Sequence, residues 1–455
     1  MLVLTLVIFS IFVMFQILYI TIPLLNHKRG TELPEKLPEL GLTILVPAFN
    51  EQHVIKQCIL GALRANYQNH ELIIINDGST DDTLGILESF LRLEAVEESI
   101  NRTLTYKTVR GFYYSTIYPN VYVIDKSNGG KADALNAGID YANNDIVVTL
   151  DADSILDSNS LQAMNSCFHD DSVIAAGGMV HIVQGAGVKG GKASPNFAVR
   201  GIIRYQIMQY LTSFYLHKFV QAKFKAMTVI AGAFGAFRRS TLLELNGFRN
   251  TVGEDMDITL KIQRLIYTKE RDKKMMVVSE AVCYTECPEN FRNLFKQRIR
   301  WQKAFVDCII TYGHCLFSQF SFGLSVFFLI EGFMLGTLIA FNTLLVPLVL
   351  ILSKTGHTLV LTLLTIYFIL ALCQSLVAFL VSKRFGHSYS KSNYARILSF
   401  IPLEIITYRL LGLLWVTAGT IQYFYKKQHW DKVERCGKIY TLNELPVEVN
   451  ESKLA

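Results

Sequence analysis

Asp145-Ile146-Val147-Val148-Thr149-Leu150-Asp151-Ala152-Asp153 decides how this chain folds. Ile146–Leu150 is a short apolar run, and such a run predicts a buried strand. Two carboxylates follow at its C-terminal edge, the edge where α/β sheets bind ligands. Hard oxygen donors there suit Mg²⁺ or Mn²⁺, which commonly bridges to substrate phosphates. A solvated turn accounts equally well for the triplet alone, because Asp is common after strands. The flanking sequence separates the two.

Upstream, strand and helix patterns alternate. Leu42–Val46 reads as a strand and Glu51–Ala65 as a helix. Glu71–Ile75 with Asp81–Leu93 repeats the pair, as does Val121–Ile124 with Lys131–Tyr141. Ile146–Leu150 is then the fourth strand. This rhythm predicts an α/β fold with a mostly parallel sheet and helices on both faces. Residues 95–119 interrupt it as an insertion, and 185–199 is Gly-rich and loop-like. Residues 200–230 mix Arg200, Arg204, Lys218, Lys223 and Lys225 with large apolar residues. That mixture fits an amphipathic helix on a membrane surface or a buried helix of the catalytic domain.

With 51% hydrophobic residues and a mean hydropathy of +0.30, the 455-residue chain is too apolar for an ordinary soluble enzyme. The excess lies at its two ends. Residues 2–25 carry no charge and are long enough to span a bilayer. They lack a basic n-region and a small-residue cleavage site, so an anchor is expected rather than a signal peptide. His27, Lys28 and Arg29 follow, which places the next domain in the cytosol. Residues 30–40, with Pro34 and Pro38, form a polar linker. Three further apolar stretches cover roughly 322–352, 358–382 and 396–424. The first contains Glu331, the second ends at Lys383-Arg384, and the third contains Glu404 and Arg409. Charges inside a membrane are costly and face protein, water or substrate. The third stretch is therefore expected in the interface, with the basic tail (Lys426, Lys427, Lys432, Arg435, Lys438) in the cytosol. The expected organisation is a transmembrane helix at 1–26, a cytosolic catalytic domain at 40–310, transmembrane or interfacial helices at 320–425 and a polar tail at 426–455. No regulatory domain is expected after the membrane region.

The net charge of +6 is mild, and no stripe of Lys and Arg interleaved with aromatics predicts a nucleic-acid partner. The eight cysteines are scattered. Cys283 and Cys287 lack the partners of a zinc pattern, so reduced thiols are expected.

Further motifs stand at the ends of the other predicted strands. Pro47-Ala48-Phe49-Asn50-Glu51 ends the first, and Asn76-Asp77-Gly78-Ser79 ends the second. Asp77 offers an acceptor for a base or ribose, while Ser-Thr-Asp-Asp is also ordinary helix-start chemistry. Asn128-Gly129-Gly130-Lys131 leads into a helix that continues through Asp133 and Asn136, a cradle suited to a diphosphate or simply a capped start. In Ala231–Arg239, small residues allow close backbone approach to a ligand or tight packing. Gly253-Glu254-Asp255-Met256-Asp257 is an acidic helix start, favoured by the dipole alone, that also supplies a candidate general base. Gln297-Arg298-Ile299-Arg300-Trp301 pairs a guanidinium for phosphate with an indole for stacking on a sugar. A basic-aromatic juxtamembrane helix accounts for the same residues.

Taken in this order, the segments resemble family 2 glycosyltransferases, in particular the membrane-embedded processive branch with cellulose, chitin, hyaluronan and poly-N-acetylglucosamine synthases. The resemblance covers about residues 40–310 and is greatest to bacterial poly-N-acetylglucosamine synthase-like enzymes; Trp430–Gly437 also resembles the tail of some of these. It implies a nucleotide-sugar-binding domain of the GT-A type. Asp77 then corresponds to the nucleoside-binding aspartate. Asp151 and Asp153 correspond to the metal and nucleotide-diphosphate motif, with Asp153 the more direct metal ligand. Lys131 corresponds to a residue beside the diphosphate, and Asp255 to the catalytic base. Gln297, Arg300 and Trp301 match the Gln-x-x-Arg-Trp motif, Arg300 toward the pyrophosphate and the other two toward the acceptor. Glu254 and Gly232 also stand on the acceptor side. Two positions depart from the family pattern: Gly253 replaces a Thr, and Ala231 replaces a Cys found in some members.

The resemblance implies inverting transfer from a UDP-sugar, UDP-N-acetylglucosamine or another UDP-hexose, to a growing β-linked glycan. It also implies Mg²⁺ or Mn²⁺, a multi-pass plasma-membrane location, membrane lipid contact and accessory export proteins. One alternative is a non-processive transferase acting on a lipid acceptor, whose families usually lack Gln-x-x-Arg-Trp. Another is a non-catalytic membrane sensor or transporter of sugar nucleotides.

Overall fold

The computed structural model describes residues 2–26, 37–97, 101–189, 192–341, 343 and 357–425. His27, Lys28 and Arg29, Pro34 of the linker, the end of the 322–352 stretch and the tail from Lys426 lie outside the described residues.

The first helix is α1 (Leu2–Leu25). Next come β1 (Leu42–Ala48), α2 (Ile55–Leu63), β2 (His70–Asn76), α3 (Thr83–Leu91), β3 (Leu93–Ala95), β4 (Val109–Ser115), β5 (Val121–Lys126), α4 (Lys131–Tyr141) and β6 (Ile146–Leu150). A second series holds β7 (Ser154–Leu156), α5 (Ser160–Phe168), β8 (Val173–Ile182), the hairpin β9 (Ala186–Lys189) and β10 (Lys192–Pro195), α6 (Gly201–Thr212) and α7 (Lys218–Lys223). It continues through β11 (Phe234–Arg238), α8 (Arg239–Glu244), α9 (Glu254–Thr268), β12 (Lys274–Thr285) and α10 (Phe291–Tyr312). Last come α11 (Phe322–Val326), extended by a π-helical run over Phe327–Leu338, then α12 (His357–Arg384) and α13 (Lys391–Tyr425).

The larger sheet has ten strands in the order β3-β4-β5-β2-β1-β6-β11-β8-β12-β7. Its centre, β5-β2-β1-β6, is parallel, as the alternating pattern predicts. Ile44, Val46, Ile74 and Val148 pack into the core on one face, and Leu45, Ile73, Ile75 and Val147 into the core on the other. Both faces are covered, so these strands read as continuous apolar runs rather than alternating ones. The insertion at 95–119 supplies β4, which pairs antiparallel with β3 and β5, and buries Leu104 and Tyr106. Part of the loop-like stretch 185–199 forms the β9–β10 hairpin.

Strand direction positions the site. The central parallel strands end at one edge, carrying Asp77, the 128–130 turn and Asp151 with them. β11 runs antiparallel to β6, with Phe234 opposite Leu150, so the residues before β11 begin beside Asp151. β12 pairs parallel with β8 and antiparallel with β7, which sets Thr285 opposite Ser154.

Residues 201–223 form a buried helical segment rather than one lying free on a surface: Ile203, Ile207, Leu211, Leu216 and Val220 are all buried. The segment also meets the apolar helices. His217 faces Tyr19 of α1, ring centroids 4.2 Å apart, and lies 3.0 Å from Gln374 of α12.

Among the described residues, four helices are long and apolar enough to cross a membrane: Leu6–Leu25, Phe322–Phe341, His357–Arg384 and Lys391–Tyr425. Arg384 donates to the Leu24 and Asn26 carbonyls, so the C-terminal ends of α1 and α12 lie on the same side. In α13, Arg409 pairs with Glu404 at 3.2 Å and donates to Ser375 at 3.1 Å. The two charges that argued for an interfacial helix are thus satisfied inside the bundle.

Candidate active site

Asp77 follows β2 and is buried. Its carboxylate accepts from Lys126 Nζ at 2.6 Å, Gly129 N at 3.0 Å and Gly130 N at 2.7 Å. Lys126 ends β5, is fully buried and also pairs with Asp133. These residues hold the Gly-rich turn that opens α4. Gly78 has φ +67°, and a Cβ there would come within 2.7 Å of Asn128 N, so only glycine fits where the two strand ends meet. Asn50 joins the first two strand ends, accepting from Thr80 N at 2.6 Å.

Lys131 is the first residue of α4. Its Nζ lies 2.6 Å from Asp151 Oδ1 and 3.0 Å from Glu254 Oε1. Gly232, just before β11, completes the cluster: a Cβ there would lie 2.8 Å from Lys131 Nζ and 3.4 Å from both Asp255 Cβ and Glu254 Oε1. The Gly232 amide donates to Asp255 Oδ2 at 3.2 Å, and Met256 N donates to Oδ1 at 2.8 Å. Asp255 sits in the first turn of α9, where the helix dipole favours a carboxylate. Burial works against the Lys131 charge, but Asp151, Glu254 and Asp255 outweigh it and hold its pKa above the ordinary value. Burial pushes the Glu254 carboxyl up; Lys131 pulls it back and Asp255 adds to the rise.

Asp153 is turned inward and accepts from Thr285 Oγ1 at 3.2 Å and Ser154 Oγ at 3.4 Å. Asp151 is the more open of the pair. Among the described residues, no three His, Cys, Asp or Glu side chains form a metal cage. Two hard carboxylates at a strand end fit Mg²⁺ or Mn²⁺ held by one or two protein oxygens, with substrate phosphates supplying others.

On α10, Gln297 is buried and its Oε1 has no hydrogen-bond partner among the described residues. The Arg298 guanidinium lies 3.9 Å from the centroid of the Trp301 ring and donates to Tyr408 Oη at 3.5 Å. Trp301 is 40% exposed, leaving part of its indole open to a ligand. Arg300 is partly buried beside it. α10 is fastened to the acid segment: a Cβ on Gly253 would collide with Ala304, and Thr251 Oγ1 donates to Asp307 at 3.0 Å.

Residues 43–245 match the model of glycosyl transferase family 2, and residues 146–381, more than half of the chain, match that of glycosyl transferase family group 2. The chain belongs to the family 2 glycosyltransferases. This glycosyltransferase is 27% identical over 267 residues to poly-beta-1,6-N-acetyl-D-glucosamine synthase of Staphylococcus aureus (strain COL), covering 58% of this chain and 54% of that one. It is 26% identical over 271 residues to the synthase of the same name from Staphylococcus epidermidis, with the same coverages. The chain thus spans about half the length of the curated relatives it matches. Among solved structures, the Pyrobaculum calidifontis mannosyltransferase PcManGT, in complex with GDP-Man and Mn²⁺, superposes with a TM-score of 0.52 at 16% identity, covering 92% of this chain and 99% of that one. This likeness extends to the fold.

Of the residues singled out from the sequence, the transferase gathers Asp151, Gly232, Glu254 and Asp255 around Lys131. Asp77 lies one turn away, beneath the Gly-rich loop, and Asp153 stands beside β12. Gln297, Arg300 and Trp301 share α10, which packs on the acid segment through Gly253 and Ala304. That contact accounts for glycine at 253. Sequence reasoning missed Lys126, although a lysine closing an apolar strand just before a Gly turn was a usable signal. It also passed over Lys218 as one basic residue among several. Lys218 Nζ lies 4.3 Å from the centroid of the Phe214 ring, and burial holds its pKa down to about 8 against the pull of Asp255. A cavity of about 310 Å³ bordered by Gly41, Asn143, His169 and Arg238 contains none of these residues.

Proposed function

We propose that this family 2 glycosyltransferase transfers a sugar from a UDP-sugar, UDP-N-acetylglucosamine or another UDP-hexose, to the end of a growing β-linked glycan with inversion. The observation that carries this is Asp255, oriented by two backbone amides and separated from the strand-end carboxylate Asp151 by a single lysine. The names of the staphylococcal relatives support the choice of glycan, and the mannosyltransferase solved with GDP-Man and Mn²⁺ supports a nucleotide-sugar donor with a divalent metal.

In this mechanism Asp255 accepts the proton of an acceptor hydroxyl. That oxygen attacks the anomeric carbon from the face opposite the diphosphate. The new glycosidic bond forms as the bond to the phosphate oxygen breaks. The Gly232 and Met256 amides hold the Asp255 carboxylate aimed. Asp77 and Lys126 shape the donor turn, with Asp77 assigned to the nucleoside side. Lys131 and Arg300 face the charge on the leaving diphosphate. Asp151 and Asp153 would hold Mg²⁺ or Mn²⁺, which when bound offsets negative charge on the diphosphate. Gln297, Glu254 and Trp301 hold the acceptor sugar. We place the catalytic face in the cytosol at the plasma membrane, with the apolar helices and accessory export proteins carrying the product outward.

The test is a donor screen on the purified membrane protein with labelled UDP-sugars, with Asp255→Asn alongside. Polymer from one donor is expected. The variant should lose transfer by a factor on the order of 10² to 10⁴ while still binding UDP. Near-normal synthesis by Asp255→Asn would sink the base assignment. A product of one sugar on lipid would replace the glycan acceptor, and failure to use any UDP-sugar with metal present would overturn the enzymatic function itself.

A further inference from the structure

Lys131 pairs with two acids of the site, Asp151 and Glu254, and its position sets a condition on metal binding. Its Nζ sits 2.6 Å from Asp151 Oδ1, the more open oxygen-bearing group of the strand-end pair. Its other partner, Glu254 Oε1, lies 3.0 Å away across the cluster. The Gly232 backbone closes one side, since even a Cβ there would come within 2.8 Å of Nζ. One ammonium thus stands among Asp151, Glu254 and Asp255. Two cations sharing one carboxylate repel strongly in a partly buried site. The lysine is held through a flexible four-carbon stem, so it can exchange partners without unfolding α4. A diphosphate beside the start of α4 is the natural replacement, because the amides of that end favour anions as well.

We propose that Lys131 and a divalent cation exclude one another at Asp151, so that a metal binds well only together with a nucleotide diphosphate that takes over the lysine. This rests on the function proposed above and deepens it. Metal and nucleotide become positively coupled, and by linkage each tightens the other by the same factor. The coupling belongs to Lys131 rather than to the metal ligands.

The experiment measures Mn²⁺ binding to the full-length purified protein by electron paramagnetic resonance, without nucleotide and again with UDP. The wild type should bind Mn²⁺ weakly alone and at least about tenfold more tightly with UDP. Lys131→Met should bind Mn²⁺ alone about tenfold more tightly than the wild type, with a smaller response to UDP. Lys131→Arg, which keeps the charge, should show no such gain. The gain should vanish in the double variant Lys131→Met, Asp151→Asn. Lys131→Met binding Mn²⁺ no more tightly than the wild type would overturn the proposal, as would a gain that survives removal of Asp151. Should Lys131→Met not fold alone, Mn²⁺ should restore a cooperative melt where NaCl of equal ionic strength does not; absence of that rescue would also overturn it. Failure of the wild type to bind UDP or any UDP-sugar with metal would instead overturn the donor assignment. The nucleotide-free Mn²⁺ comparison is independent of that result.

Discussion

Arg249 Nε donates to Asp257 Oδ1 across 2.7 Å, two residues beyond Asp255 on the same helix. The same guanidinium reaches Asp307 of α10, and Asp307 in turn accepts from Tyr423 of α13 at 3.0 Å. Asp257 is fully buried and also accepts from Tyr312 Oη at 2.9 Å. One arginine therefore ties the helix that begins with the acid pair to the helix carrying Gln297 and Trp301, and through Asp307 to the last apolar helix. Removing it takes the arginine from two largely buried carboxylates and leaves Asp257 the longer pairing with Lys261 at 3.6 Å, a change that costs about 3–5 kcal/mol for a buried pair. Arg249 is itself about a third exposed, so the low end applies. Arg249→Met should lower stability by about 3 kcal/mol in a denaturation series. An unchanged midpoint would show that the network is ornamental.

Lys126 presents the same physics in a deeper place. It is fully buried between Asp77 and Asp133, and Asp77 also holds the 128–130 turn. Lys126→Met should cost about 3–5 kcal/mol and weaken UDP binding, because the turn loses its anchor. Thermal melts and UDP titration of the same sample check both. Wild-type UDP affinity in a folded variant would separate the turn from the nucleotide.

Gly253 allows α9 and α10 to touch. Gly253→Thr should destabilise by about 1–3 kcal/mol through overlap with Ala304. Ala304→Gly in the same chain should recover part of that loss. The check is a double-mutant cycle on stability, and strict additivity would argue against the contact.

Lys218 predicts a pH dependence. Its folded-state pKa of about 8 lies below its ordinary 10.5 because of burial. Between these values the unfolded chain binds more protons, so stability rises with pH across the window. Below about 8 the cost of burying the charge is fully present. Lys218→Met should therefore be more stable than the wild type at neutral pH, and the gap should narrow as pH climbs from about 8 to 10.5. Melting both proteins across that range tests it; a constant gap would count against the shift.

The central strands were legible because each is buried on both faces and so spells an unbroken apolar run in the local sequence. Other strands were not. β8 contains Gly177 and Gly178, and Gly178 lies against the Phe234 ring, so its burial depends on a neighbour far along the chain. β4 packs within an apparent insertion, and β12 is only partly covered over its first half. Their local composition carries little of the contact that makes them strands.

The candidate site divides along the same line. That Asp151, Asp153 and Asp255 stand at element ends follows from residue chemistry within a few positions of each. That Lys131 faces Asp151 and Glu254, and that Lys126 rather than solvent balances Asp77, was settled only by the order of strands. β11 lies antiparallel beside β6, and this alone carries Gly232 to Asp151, where the first turn of α9 joins it. Local chemistry sets which groups can ionise or cap a helix. Which cation meets which acid is a long-range pairing, decided by how the sheet closes over its core.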